Sequence, residues 1–164
     1  MSELTSGYLK IKDIKGESKH TKYVDCITIL TMDHIITNSA SMTQKKGLCA
    51  GTPYIGEMII QILYDKSSTA LRDYLIKGKH IQEAKLDILR SSSKDEEEAF
   101  HVFTMTNVLI TACNTTYDAF GSSNSIFIKL SFEQYLETYT GQKFDGTPDA
   151  SVSCGYNVAT KKIS

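Results

Sequence analysis

The sequence predicts a mainly β protein, an antiparallel barrel or sandwich with one amphipathic α-helix packed against it. Short β-rich segments separated by turn residues recur along the chain, which is typical of all-β folds. A single segment, residues 59–78, changes from strand-like composition to helical spacing. The 164 residues contain no internal repeat and no linker, and this length fits one domain of about 100–200 residues. We therefore expect a single domain spanning residues 1–164.

The predicted helix covers about residues 67–77. The Ser-Ser-Thr run that begins at Ser67 can supply an oxygen to cap the first backbone N–H groups. Lys77 suits the negative C-terminal end of the helix dipole, and Gly78 can adopt the left-handed conformation that ends a helix. Both ends of the helix are therefore marked in the sequence.

The apolar face of this helix consists of Leu71, Tyr74 and Leu75, which fall at i, i+3 and i+4. That spacing places three side chains on one side of an α-helix. We predict that these residues pack the helix against the sheet.

The first strand is predicted at residues 8–14, where Leu9 and Ile11 alternate with Lys10 and Lys12. Alternation of this kind indicates one buried and one exposed face. Further strands are predicted at residues 23–36, 84–88, 100–112, 126–133 and 154–158. Exposed connections are expected at residues 91–98, 114–124 and 141–153.

The segment 126–133 is the expected partner of the strand at residues 100–112. Its apolar residues recur at every second position and are expected to face the core. These are Ile126, Ile128, Leu130 and Phe132.

Residues 38–53 are predicted to form an extended loop, because this polar stretch has neither helical nor strand periodicity. Unstructured loops of this length are uncommon in compact domains and usually carry a function. The alternative is a plain hairpin tip. Its sizeable apolar side chains are Met42 and Leu48, with Lys45 and Lys46 between them.

Composition excludes several classes of protein. The formal charge of −1 gives no basic surface for nucleic acid or acidic membranes. No apolar run approaches the roughly 18 residues that a membrane-spanning helix needs. The first six residues lack the basic and apolar regions of a secretory signal, so we expect the chain to fold in the cytoplasm.

No catalytic, metal or cofactor motif was found. The chain has no HExxH, phosphate-binding glycine loop, nucleophile elbow or CxxC motif. A Cys–His nucleophile pair built from distant residues is the enzyme alternative. Each cysteine has a simpler structural interpretation, however, and Cys26 and Cys113 lie in apolar, strand-like runs. We expect no enzyme activity.

Six segments resemble the haemolysin-coregulated protein (Hcp) family, the tube protein of bacterial type VI secretion systems. They are residues 8–11 with 14–18, residues 20–25, residues 64–68 with Leu71, residues 78–80 with Ala84, Leu86 and Ile88, the aromatic set Phe132, Tyr135 and Tyr139, and residues 155–158. They follow the order of the family and span nearly the whole chain. The chain departs from many members at Thr69, where they have Pro, and at Tyr156, where they have Trp.

The resemblance implies a two-sheet β-barrel with a flanking helix and no catalytic site. It implies a six-membered ring with a wide channel, and rings that stack into a tube driven by a contractile sheath. The expected partners are other copies of the chain, the sheath and spike proteins, and effector proteins in the channel. The protein would leave the cell without a signal peptide.

The resemblance also gives residues 38–53 a role, because the corresponding loop of the family contributes to contacts between stacked rings. Met42 and Leu48 would then anchor the loop in the neighbouring ring. Lys45 and Lys46 would meet acidic groups across that contact.

Two other classes stay open at this point. A phage-tail-type tube protein would have a related structure. A monomeric β-barrel could instead bind a small ligand in its interior, which would require inward-facing polar groups. The apolar alternation of residues 126–133 favours a filled interior.

All four cysteines, Cys26, Cys49, Cys113 and Cys154, are predicted to be reduced and dispensable for assembly. Replacing Cys49 should be nearly neutral because it lies in the predicted loop. Replacing Cys26 or Cys113 by Ala should lower the free energy of unfolding by about 1 kcal/mol through lost packing. Mass spectrometry of alkylated cytosolic protein checks the redox state, and two disulfides would contradict the prediction.

Overall fold

The computed structural model describes residues 6–43, 47–91, 97–121 and 124–163. Within these ranges the chain forms ten β-strands and one α-helix. The strands are β1 (Ser6–Ile11), β2 (Ile27–Thr37), β3 (Ala40–Thr43), β4 (Gly47–Ala50), β5 (Tyr54–Leu63), β6 (Ile81–Ser91), β7 (Glu97–Thr116), β8 (Ser125–Gln142), β9 (Pro148–Asn157) and β10 (Lys162–Ile163). The helix α1 spans Lys66–Lys77. The prediction of a mainly β, antiparallel fold with one helix is confirmed.

Six strands close into a barrel in the order β8-β5-β2-β1-β6-β7, because β7 pairs with β8 again. All of these pairs are antiparallel. Past the end of its pairing with β5, β8 pairs with β9, and β10 pairs with the outer edge of β9. These two strands extend the sheet beyond the barrel. Closing the sheet gives backbone partners to strands that would otherwise be edges.

The barrel interior is filled by alternate apolar residues of the six strands. In β8, Ile126, Ile128 and Leu130 are fully buried as predicted, and Phe132 is partly buried against the same core. The other strands contribute Leu9 and Ile11, Ile27, Met58, Ile60 and Ile62, Ala84 and Leu86, and Phe103, Met105, Val108 and Ile110. The alternation therefore reports which face of each strand is buried.

Helix α1 begins one residue before the predicted start, and its cap differs from the prediction. Asp65, not the serine run, is the N-cap residue, and its carboxylate accepts a hydrogen bond from the Ser67 backbone N–H at 2.8 Å. The Ser68 hydroxyl accepts in return from the Asp65 backbone N–H at 3.1 Å. This reciprocal pair is a capping box. The predicted stop is confirmed, since Gly78 has φ 60°.

All four expected connections contain strand residues, since β6 ends at Ser91 and β7 spans Glu97–Thr116. Residues 38–53, predicted to be a loop, contain the β3–β4 hairpin, and residues 141–153 contain the first part of β9. Both hairpin strands, and the first seven residues of β9, are exposed. Without a buried face no alternation is selected, so backbone pairing alone forms these strands and leaves no periodic signal.

Strands β2 and β5 run together beyond the barrel. Among the described residues, β5 pairs with β8 only from Met58 onward, whereas its pairing with β2 continues back to Tyr54. We call residues 35–37, residues 54–57 and the β3–β4 hairpin the arm. His34, which pairs with Met58, lies at its base.

Replacing Asp65 by Ala should lower the free energy of unfolding by about 1 kcal/mol, because it leaves helix N–H groups without an acceptor. Urea denaturation at fixed protein concentration measures the change. Asp73→Ala is the matched control, since Asp73 makes an exposed pair with Lys77 in the same helix, worth about 0.3–0.5 kcal/mol. Equal losses in the two variants would contradict the assigned cap.

Candidate assembly surface

The tip of the arm carries the two apolar residues that the sequence singled out. Met42 and Leu48 are directly opposite each other in the β3–β4 hairpin, and their exposed fractions are 79% and 71%. Lys45 and Lys46 lie outside the described residues. Because cross-strand partners share a face, Met42 and Leu48 form one small apolar spot at the end of the arm.

The body of the arm is also apolar, which the sequence interpretation missed. Ile35, Ile36 and Tyr54 are large side chains that lie exposed, Ile35 with 60% of its surface accessible. The adjacent Ile35 and Ile36 point to opposite faces of β2, so neither face is a clean apolar stripe. Large apolar side chains that are exposed on both faces of the arm favour contact with another protein.

Two backbone edges flank the sheet formed by β9, β8, β5 and β2. Beyond Ile29, no strand of the described chain pairs with β2 on the side away from β5. At the other end, β9 pairs with β8, and β10 covers only Tyr156 and Asn157 of its outer edge. Unpaired N–H and C=O groups on such edges can pair with another chain.

The predicted helix face lies against the barrel. Leu71 is fully buried, and Tyr74 and Leu75 are partly buried against the core. Lys79 Nζ lies 5.0 Å from the centre of the Tyr74 ring, which places a cation over its face. On the opposite side of the helix Ile76 is exposed.

Polar groups inside the barrel occur at the end from which the arm leaves, a region that we call the mouth. The Tyr135 hydroxyl donates a hydrogen bond to Glu137, and His101 Nε2 lies 2.5 Å from the other carboxylate oxygen. Burial raises the pKa of Glu137, but the hydrogen bonds from Tyr135 and His101 outweigh it and lower the pKa below its ordinary value. Burial, together with the carboxylate, raises the pKa of Tyr135.

The mouth bears on the ligand-binding alternative. Below it the barrel is filled by apolar side chains that are almost fully buried. An interior ligand would need polar groups to orient it, and those of the mouth already bond to one another. The interior therefore does not favour a ligand-binding barrel.

The segment at residues 20–25, one of the six that carried the resemblance, folds over the outer face of β1 and β6. The Tyr23 hydroxyl donates to the buried Asp87 carboxylate at 2.8 Å, and its ring stacks on Tyr8 with centroids 4.8 Å apart. His20 Nε2 lies 2.7 Å from Glu97. Burial, with the Asp87 hydrogen bond, raises the pKa of Tyr23. These contacts give the segment a structural role.

Gly16 precedes this segment, and a side chain at its position is excluded for a steric reason. A Cβ atom at this position would lie 2.3 Å from the Cys26 carbonyl oxygen, closer than any real side chain could sit. The Gly16 backbone N–H donates to the Asp25 carbonyl at 2.7 Å across the same close approach.

Three of the four cysteines are not activated as nucleophiles. Burial raises the pKa values of the Cys26, Cys113 and Cys154 thiols, which disfavours the reactive thiolate at neutral pH. Cys49 is exposed on β4. Across the ranges that the structure covers, no three His, Cys, Asp or Glu side chains are grouped to hold a metal ion. No helix in those ranges is long and apolar enough to cross a membrane.

Comparisons with known proteins agree with this architecture. The chain is 29% identical over 152 residues to the protein hcp1 of Pseudomonas aeruginosa, covering 92% of this chain and 93% of that protein. A solved type six secretion system protein superposes with a TM-score of 0.90 at 18% identity, covering 98% of this chain and 100% of the other. Hcp1 from Salmonella typhimurium superposes with a TM-score of 0.79 at 21% identity, covering 98% and 99%.

A protein-family model described as "Type VI secretion system effector, Hcp" matches residues 8–143. The match includes the barrel, the arm and the helix, and it favours the type VI class over the phage-tail alternative. Because it covers most of the sequence, the chain belongs to the Hcp family of type VI secretion system tube proteins.

Proposed function

We propose that this chain is the subunit of a closed six-membered ring, and that the rings stack into the inner tube of a type VI secretion system. Membership of the Hcp family supports the tube function. The observation that carries the ring is the pair of unpaired sheet edges, on β2 and on β9. Both edges belong to the same sheet of the protomer.

The two edges suit a repeated contact between unlike surfaces. Each copy presents its β2 edge to the β9 edge of the next copy, and rotation by the same angle closes the series into a ring. Exposed apolar residues accompany both edges, with Ile35 on β2 and Val152, 64% exposed, on β9. Their burial in the contact adds a hydrophobic contribution to the backbone pairing.

The tip of the arm contacts the neighbouring ring. Its hairpin is exposed on both strands and ends in the apolar spot made by Met42 and Leu48. A two-stranded hairpin is marginally stable alone, so a receiving surface would stabilise it. Lys45 and Lys46 meet acidic groups of that surface.

The finer parts of the proposal follow from the family. The chain is made in the bacterial cytoplasm, is ejected by the contractile sheath together with the spike, and carries effector proteins in the channel. It acts without catalysis. The absence of an activated thiol among Cys26, Cys113 and Cys154 is consistent with this role.

Purified protein should have six times the mass of the chain by multi-angle light scattering, with rings visible by negative-stain electron microscopy. Ile35→Lys and Val152→Lys should each shift the mass toward the monomer, because each places a charge in the edge contact.

Ile76→Lys is the matched control for these two variants. It adds the same charge at an exposed apolar residue that lies on the helix and on neither edge strand, and it should keep the ring. A wild-type monomer at tens of micromolar, or intact rings in both edge variants, would contradict the proposal.

Replacing residues 41–49 by a two-residue Asn-Gly turn should preserve the single ring and abolish tubes and export. This change removes Met42, Lys45, Lys46 and Leu48 while keeping the ends of the hairpin together. Electron microscopy reads the stacking, and immunoblotting of culture supernatant reads the export. Wild-type tubes and export from the shortened protein would mean that the hairpin is not an assembly contact.

A further inference from the structure

The base of the arm lies where the barrel wall changes strands. Pairing of β5 with β8 begins at Met58 and Leu130, and pairing of β9 with β8 begins at Gln134. Residues 131 and 132 of β8 therefore lack a described partner on that side, whereas the Glu133 carbonyl accepts a hydrogen bond from the Val158 backbone N–H at 2.8 Å. A side chain from β2 packs against β8 at this gap.

That side chain is His34. Its ring centroid lies 5.0 Å from that of Tyr135 and 5.7 Å from that of Phe132, both on β8. Its Nε2 lies 3.1 Å from the Gly56 carbonyl oxygen, and since a carbonyl can only accept, Nε2 carries the hydrogen. One imidazole thus links β2 to β5 by a hydrogen bond and to β8 by ring packing.

A cavity of about 410 Å³ adjoins His34 at the mouth. Titratable groups of three strands line it: Asp33 of β2, His101 of β7, and Tyr135 and Glu137 of β8. On β9, the Cys154 thiol lies 3.9 Å from Glu137. The Glu137 carboxylate is already bonded to Tyr135 and His101, which leaves His34 without a direct carboxylate partner among the described residues.

The neutral ring of His34 fits this position better than the charged ring. Burial lowers its pKa, while the Gly56 hydrogen bond and the charges of Glu137 and Asp33 oppose the shift only in part. A pKa below the unfolded value means that the unfolded state binds the proton more readily. The contribution of His34 is complete above about pH 6.5 and is lost as the pH falls through its lower folded pKa.

We propose that His34 is a proton-controlled latch that holds the arm against the barrel mouth and releases it on acidification. A protonated ring gains an N–H at Nδ1 and leaves the space between Tyr135 and Phe132 for water. The Gly56 carbonyl then loses its donor and the base of the arm loses its ring contacts with β8, while Glu57 of the arm still accepts a hydrogen bond from Thr111 of β7. The consequence for stacking rests on the proposed function of the arm; the latch itself does not.

Hydrogen–deuterium exchange of the full-length protein tests the latch, with rates at pH 7.5 and 5.5 corrected for intrinsic exchange. In the wild-type protein, exchange in residues 30–37 and 54–57 should rise at least fivefold at the lower pH, while the buried part of β7 changes by less than twofold. His34→Phe keeps a ring without a titrating group and should reduce the rise to less than twofold.

Two further variants keep the test decisive. His34→Gln retains an N–H donor for Gly56 and should likewise remove the rise, so it serves if His34→Phe does not fold. His80→Gln, the control, removes an exposed histidine that bonds to Asn107 and should keep the rise. No rise in the wild-type protein, or a full rise in His34→Gln, would overturn the latch.

Light scattering on the same samples separates the latch from the proposed function. Released arms with unchanged stacking at pH 5.5 would support the latch and overturn the role of the arm between rings. Rings at pH 7.5 with a pH-independent arm would overturn the latch and leave the ring proposal intact.

Discussion

The structure depends on the pairing of β8. This strand is longer than either β5 or β9, the two strands that pair with it on the edge away from β7. It bonds to β7 from Ser125 to Tyr139 along one edge, and to β5 and then β9 along the other. Continuous pairing with β7 closes the barrel along one edge of β8. On the opposite edge, the change of partner from β5 to β9 leaves a gap in the pairing. β5, with β2 beside it, therefore has to leave the barrel wall, and the arm is the result.

This arrangement divides the molecule into two parts. In the barrel, the backbone groups and apolar side chains find their partners within one chain, whereas in the arm and β9 many of them do not. Inside the barrel, apolar side chains such as Ile60 and Ile128 are fully buried and the backbone groups are paired. In the arm and in β9, backbone edges and apolar side chains such as Ile35 and Val152 are exposed. In an isolated protomer these features favour aggregation, whereas in the proposed ring they become the contact between subunits.

The mouth lies between these two parts, and it differs from both because it contains partly buried polar groups. Its polar groups bond among themselves, Glu137 to Tyr135 and His101, and His34 joins them to the base of the arm through ring contacts. Partly buried titratable groups respond to small changes in their surroundings. In the proposed latch, this cluster at the base of the arm couples the position of the arm to protonation.

The sequence by itself determined the features that depend on neighbouring residues. The alternation of Ile126, Ile128 and Leu130 identified the buried face of β8, and Gly78 identified the end of the helix. The order of motifs identified the family. The cap at Asp65 is also local, but the serine run beside it offers the same chemistry, and only the geometry distinguishes them.

Only the tertiary structure decided the hairpin within residues 38–53, the first part of β9, the open edges and the contact of His34 with Tyr135. Each depends on which strands lie side by side, and His34 meets a residue on a strand distant in the sequence. Backbone pairing selects no side chain where both faces are exposed. A sequence records a buried face as a period, whereas an exposed strand or a distant contact leaves no period to detect.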